Sequence, residues 1–364
     1  MEDIIIIGSG PAGMTAGLYA ARAGLRPVVL EGLESGGQLM QTQHVANYPG
    51  FVGTVSGPQI IKAMREQAEQ AGVRFVMDAV QSVDFCSGGV CRGGVPACRG
   101  GVCRGGVPAA PEQNSAKFLN WGGEDASPTE LAVSAAPTEV ELPAAPERNS
   151  AKFLSWGGED ASPTKLDSSA SPTNGTLRLN TLMGDVLEAK AVIVATGAGV
   201  TKTNLPGEAK YWGRGISACL TCDGAFYKDR RVVIVGEGPA TVGAKTYLTR
   251  CGATIAAILP PSEIKEFAGD GTQLTGVVRT DGETVATDGL FLVTARTPQT
   301  KFLGSALELD ATGHVVTDGA KTSVPGVFAA GDCRRPHHKQ AVVAAGDGAV
   351  AAMEAMAYLS KANK

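Results

Sequence analysis

The sequence predicts an α/β protein in which two nucleotide-binding-type units flank a repetitive insertion. Three observations predict it. Residues 3–31 read strand, glycine turn, helix, strand; residues 230–259 repeat that order; and residues 86–175 are filled by near-identical copies. At 364 residues the chain is long enough for about two or three domains. A net charge of −4 argues against a nucleic-acid binder, which would carry a basic stripe. No apolar run reaches the ~18 residues of a membrane span, so no membrane association is expected. The chain opens "MEDIIIIGSG", a strand without the charged, apolar and cleavable parts of a leader, so a cytoplasmic location is expected.

In the first unit, "DIIII" is a short buried strand rich in β-branched side chains, and "MTAGLYAARAG" is a helix stopped by Gly24. Between them, "GSGPAG" sets Gly8, Gly10 and Gly13 in the G-x-G-x-x-G order. The first glycine permits the tight turn, the second lets backbone approach a pyrophosphate, and the third lets helix and strand pack closely. The free N–H groups of the helix start then favour the anion. The next strand, "RPVVLE", ends in Glu31, 21 residues after Gly10, where a carboxylate can hold ribose hydroxyls. A dinucleotide site is expected here.

The second unit, "RRVVIVGEGPATVGAKTYLTRCGATIAAIL", carries Gly236 and Gly238 but Thr241 in place of the third glycine or alanine. A β-branched residue there is expected to push helix from strand. Glu237 sets a carboxylate between the glycines, and "AILPPSE" offers neither an acid for a ribose hydroxyl nor an Arg for a 2′-phosphate. This unit reads either as a working nicotinamide-dinucleotide turn or as a degenerate one, a Rossmann-like shell that no longer grips the dinucleotide well.

Within the insertion, "GGVCRGGVPA" occurs at 88–97 and again at 100–109. The 24 residues of 108–131 return at 143–166 with three changes, Gln113/Arg148, Asn120/Ser155 and Glu130/Lys165. Polar and apolar positions are kept alike, unlike a solenoid that preserves its core. Pro, Gly, Ser and Ala dominate, so a disordered, surface-exposed segment is expected. Its Cys86, Cys91, Cys98 and Cys103 lack the two-to-four spacing of zinc ligands.

The stretch "SACLTCDGAFY" holds Cys219 and Cys222, followed by Asp223. Alone it fits half a zinc site, a redox disulfide or a chance pair. A zinc site would need two more ligands; Cys251 and Cys333 are single, and no metal is expected. A Cys-x-x-Cys at the start of a helix has one thiol of lowered pKa, suited to attack a disulfide. Asp223 is a candidate acid/base, or a helix cap.

Together, "IIGSGPAGMTAGLYAARAGL", "GLESGGQL", "NYPGF", "AVIVATGA", "GISACLTCDGAFY", "TSVPGVFAAGDC" and "KQAVVAAGDG" resemble the low-molecular-weight thioredoxin reductase family. The resemblance covers most of the chain outside 86–175. It implies two Rossmann-like, doubly wound domains. A discontinuous FAD domain would comprise 1–85, 176–207 and 297–364, and a shortened NADPH-like domain, 208–296, would bear the disulfide. The first glycine turn, Glu31, Gly36, Gly37, Gln38 and Asn47 would line the FAD site. Gly331 and Asp332 would meet the flavin's ribityl and phosphate side, and Lys339, Gln340 and Ala341 would lie beside the isoalloxazine. The family usually has Arg at the position of Lys339. Cys219 would attack the disulfide of thioredoxin or a thioredoxin-like protein, and Cys222 would face the flavin. The resemblance also implies a homodimer. The basic segment that reads an NADP 2′-phosphate is missing, so the electron donor is NADPH or a ferredoxin-type carrier. A non-catalytic flavin-binding scaffold is the alternative.

Overall fold

The computed structural model describes residues 1–85, 90–91, 95–96, 176–335 and 338–362. Apart from Val90–Cys91, which pairs antiparallel with Val95–Pro96, the insertion expected over 86–175 lies outside the described residues.

Strand β1 (Glu2–Ile7) enters helix α1 (Pro11–Arg22), and the chain returns as β2 (Pro27–Leu30). Helix α2 (Gly57–Gln70), β3 (Arg74–Val76) and β4 (Val80–Asp84) follow. A capping box starts α2: Gln59 N donates to Ser56 Oγ, and Ser56 N donates to Gln59 Oε1. Beyond the insertion come β5 (Leu177–Thr181), β6 (Val186–Val194) and the short β7 (Ala198–Val200). A second set runs β8 (Ile216–Ser217), β9 (Arg231–Gly236), α3 (Pro239–Arg250) and β10 (Thr254–Leu259). Next come β11 (Ile264–Gly269), β12 (Leu274–Arg279), β13 (Thr284–Ala286), β14 (Gly289–Val293) and β15 (Arg296–Pro298). The described chain closes with β16 (Val327–Ala329) and α4 (Ala341–Ala362).

The first sheet has the order β3-β2-β1-β6-β5-β4, with β16 also on β6. Its two faces follow from strand alternation. Ile4 and Ile6 face a core with α1 and α4, while Ile5 and Ile7 face Leu303, Leu307 and Val315. Helix α4 lies so close on α1 that a Cβ at Gly348 would come 2.1 Å from Ala12 O. Among the described residues, α4 is the one helix long and apolar enough to cross a membrane by length and composition, although Asp347 and Glu354 break its apolar run.

The second sheet has the order β8-β14-β9-β10, all parallel. Val232, Ile234 and Phe291 pack with Ala244 and Leu248 of α3. On the other face Val233, Val235, Leu290 and Leu292 pack on the antiparallel meander β11-β12-β13 through Ile264, Phe267, Leu274 and Val277. A single turn and this meander follow β10. The two passages of chain between the sheets are stitched together as the β7–β15 antiparallel ladder.

Candidate active site

The first glycine turn has the shape its sequence requires. A Cβ on Gly13 would lie 1.8 Å from Gly8 O, so helix and strand touch through bare backbone. Gly8 has φ +111°, which other residues rarely adopt. Around Gly10 there is open space: a Cβ there would meet nothing within 4 Å. The start of α1 carries no side-chain cap and no acid in its first turn, so its N–H groups face that space. Gly36 and Gly37 close one side; Gly36 N donates to Ser9 Oγ at 2.9 Å, and a Cβ on Gly37 would lie 3.4 Å from Gly10 Cα. This uncapped helix start with room in front of it fits a pyrophosphate.

Glu31 is buried at the end of β2. Its Oε1 accepts from Ser35 Oγ at 2.5 Å and pairs with Arg65 of α2. Arg65, in turn, lies over the Phe75 ring, 4.3 Å from its centroid, and pairs with Glu69. Arg65 has no sequence signature at Glu31, because the two are brought together only by α2 packing beside β2.

At the same C-terminal edge of the sheet, Gly331–Cys333 forms a single turn after β16, and a Cβ on Gly331 would lie 3.0 Å from the Ala12 Cβ at the start of α1. Gly331 N donates to Asp347 Oδ2 at 3.2 Å, and Asp347 pairs with Arg334. Burial pushes Asp332 above the usual carboxylate range, against the pull of Arg296 and Lys339. Burial likewise lowers Lys339, opposed by Asp332. Ala341 opens α4.

Cys219 and Cys222 are joined as a disulfide, with Cα atoms 5.3 Å apart. Cys219 N donates to Ser217 Oγ at 3.0 Å, and the turn Leu220–Asp223 closes through Asp223 N to Cys219 O at 3.1 Å. Residues of the first sheet's side then hold this turn. Gln340 Nε2 donates to Thr221 Oγ1 at 2.7 Å and stands 3.8 Å from Cys219 Sγ. Asn47 Nδ2 donates to Gln340 Oε1 at 3.3 Å and to Thr221 O at 3.4 Å. Arg296 Nη2 donates to Ala218 O at 3.2 Å, while its Nη1 donates to Gln38 Oε1 at 3.0 Å. Gln38 also donates to Ala198 O. Asn47, Gln340, Gln38 and the disulfide turn, separated by up to 293 residues, thus share one site.

Asp223 does not cap a helix: its side chain makes no cap bond at the following turn. Burial raises its pKa, while a hydrogen bond from Ser217 and the nearby His44 pull it down. A half-buried carboxyl raised in this way can carry a proton where an exposed one would have lost it.

In the second unit, Thr241 is accommodated. It is buried, and its Oγ1 donates to Gly238 O at 2.8 Å, folding the branched side chain back onto the turn. A cleft of about 460 Å³ opens over Gly236, with Glu237, Pro261, Ser262 and Thr294 among its walls. None of its lining residues is a lysine or arginine.

The model of the pyridine nucleotide-disulphide oxidoreductase family matches residues 2–94, 164–260 and 257–348. The chain is 30% identical to the thioredoxin reductase of Peptoclostridium litorale over 396 residues, covering 99% of this chain and 97% of that protein. It is 31% identical to the thioredoxin reductase of Streptomyces clavuligerus over 392 residues, covering 99% and 94%. Among solved structures, thioredoxin reductase from Streptococcus pyogenes superposes with a TM-score of 0.69 at 27% identity, covering 99% of this chain and 98% of that one. The enzyme from Giardia duodenalis superposes with a TM-score of 0.67 at 28% identity, covering 99% of each.

Proposed function

The chain belongs to the pyridine nucleotide-disulphide oxidoreductase family and, within it, to the low-molecular-weight thioredoxin reductases. From that premise we propose that it reduces the disulfide of thioredoxin or a thioredoxin-like protein through Cys219 and Cys222. The observation that carries the reading is the disulfide turn held by Asn47 and Gln340 beside the glycine-lined face of the first sheet. FAD, when bound, supplies the electron pair that opens the Cys219–Cys222 bond. Gly8, Gly10 and Gly13 would hold its pyrophosphate at the start of α1, Glu31 its ribose, and Gly36, Gly37, Gln38, Gly331, Asp332 and Lys339 its remaining length. With both thiols reduced, the Cys219 thiolate attacks one sulfur of the partner disulfide and displaces the other as a thiolate. Cys222 then attacks Cys219, restoring the Cys219–Cys222 bond and freeing the second partner thiol. Two electrons and two protons pass to the partner, and Asp223 gives a proton to the departing thiolate.

The second cleft supports a donor other than NADPH. Its walls carry Glu237 and no cation, so a 2′-phosphate would find no partner. We therefore favour a ferredoxin-type carrier. Anaerobic mixing with NADPH should leave the flavin absorbance unbleached while a reduced ferredoxin bleaches it; fast bleaching by NADPH would return the donor to NADPH. Turnover of a thioredoxin disulfide should vanish in Cys222→Ser; persistence would remove the assignment of this pair. A homodimer is part of the proposal and is read by the mass of the purified protein in solution.

A further inference from the structure

His314 was not among the residues singled out by motif, yet it is buried at 8% exposure against the turn that carries Asp332. The next residue fixes its place: Val315 N donates to Cys333 O at 3.0 Å. The 310–314 turn presents the imidazole in one orientation. Asp310 Oδ1 accepts from Thr312 N at 2.8 Å, from Thr312 Oγ1 at 2.7 Å and from His314 N at 3.0 Å. Burial pushes Asp310 up, but these hydrogen bonds outweigh it and hold the carboxyl below its ordinary value, so it only accepts. The single Thr312 hydroxyl proton is thereby committed to Asp310. Thr312 Oγ1, 2.8 Å from His314 Nδ1, must then accept from that nitrogen. The imidazole proton sits on Nδ1, and Nε2 is a bare acceptor 3.1 Å from Lys339 Nζ. Hydrogen bonds therefore run one way, from Lys339 to His314 to Thr312 to Asp310.

We propose that His314 is a positioning residue: a neutral, Nδ1-protonated imidazole that anchors the Lys339 ammonium and keeps it aimed at the flavin face beside Asp332. This rests on the reading that Lys339 meets the flavin. Burial and the charges of Lys339 and Arg335 hold His314 below its ordinary value, against the pull of Asp310, which keeps it neutral. Protonating it would set two cations 3.1 Å apart and release Lys339. A cation held at the flavin favours the negatively charged reduced form, so His314 acts on the flavin potential through Lys339.

The test combines ¹⁵N NMR of the histidines with flavin midpoint potentials in the FAD-loaded protein. We expect His314 to carry its proton on Nδ1 and to titrate below 6.5, and Lys339→Met to raise that value. Lys339→Met should move the potential in the negative direction. His314→Leu should move it the same way, and His314→Gln, which keeps a neutral acceptor, should hold near the wild-type value. A proton on Nε2, or a potential moved by Lys339→Met but untouched by His314→Leu, overturns the proposal. An unmoved potential in Lys339→Met overturns it differently, by removing Lys339 from the flavin. Should His314→Leu fail to fold, the wild-type tautomer and the Lys339→Met titration still decide.

Discussion

Two alanines three residues apart should fail in opposite ways. In Gly13→Ala the new Cβ meets Gly8 O at 1.8 Å and Gly8 C at 2.9 Å, both backbone atoms that cannot swing aside. Overpacking of this kind costs up to about 3 kcal/mol, and the better helix propensity of alanine returns about 1. A net loss of about 2 kcal/mol lowers the melting temperature by about 4–8 °C in a domain of this size. In Gly10→Ala the Cβ meets nothing within 4 Å, and φ −70° with ψ −177° suits any residue. The reduced unfolded-state entropy and the poorer cap of alanine nearly cancel, so the apoprotein should melt within about 1 kcal/mol of the wild type. The same methyl, however, fills the space in front of the α1 start. Crowding a pyrophosphate at a cost of about 1–3 kcal/mol weakens FAD binding by roughly 5- to 150-fold. Melting of the apoprotein and fluorescence titration with FAD measure the two effects separately. Wild-type FAD affinity in Gly10→Ala would refute the placement of the pyrophosphate, and wild-type melting in Gly13→Ala would refute the close-packing argument.

Gln340→Ala removes the bonds to Thr221 and Asn47, worth about 1 kcal/mol each, so steady-state turnover should fall by up to roughly 30-fold. Asp223→Asn should slow reduction of a protein disulfide by about 10²-fold or more. Because the native pKa of Asp223 is raised, its contribution to stability is fully present below the unfolded value of 3.8 and is lost as pH rises through the native one; chemical denaturation at several pH values should show wild type losing stability relative to Asp223→Asn over that rise. Cys333 is fully buried, and burial pushes its thiol from 9.0 up to about 11, so iodoacetamide should leave it unmodified in the native protein and label it after unfolding. The stability that its neutral form supports should decline as pH rises from 9 towards 11, read by denaturation at alkaline pH.

What could be read from the sequence was local. Gly8, Gly10 and Gly13, and the Cys219–Cys222 pair, act within one turn, so their spacing states their geometry. The end of β2 at Glu31 follows from the same reach. Arg296 shows where local reading stops: its contacts to Gln38 and Ala218 span 258 and 78 residues and exist only because β7 and β15 pair between the sheets. Arg65 at Glu31 and His314 at Lys339 are of the same kind. Thr241 shows a different limit. A rule about side-chain bulk anticipates a helix pushed outward, but a hydroxyl can turn back onto the carbonyl of the turn itself, and bulk alone does not reveal that. The β11–β13 meander was not read from the sequence, because short antiparallel strands leave a weaker period than a helix.

The β4–β5 ladder has a consequence for the architecture of the gene. Its register brings Asp84 opposite Arg178, so the two chain ends that bound the repeats are fixed side by side by the sheet. Lengthening a connection between ends already held together costs only about 0.6 kcal/mol for each doubling. The ladder is therefore a splice port: duplications accumulate there without registering in the core. A two-residue hairpin turn, or an unrelated folded module with adjacent termini, could be exchanged at the same place.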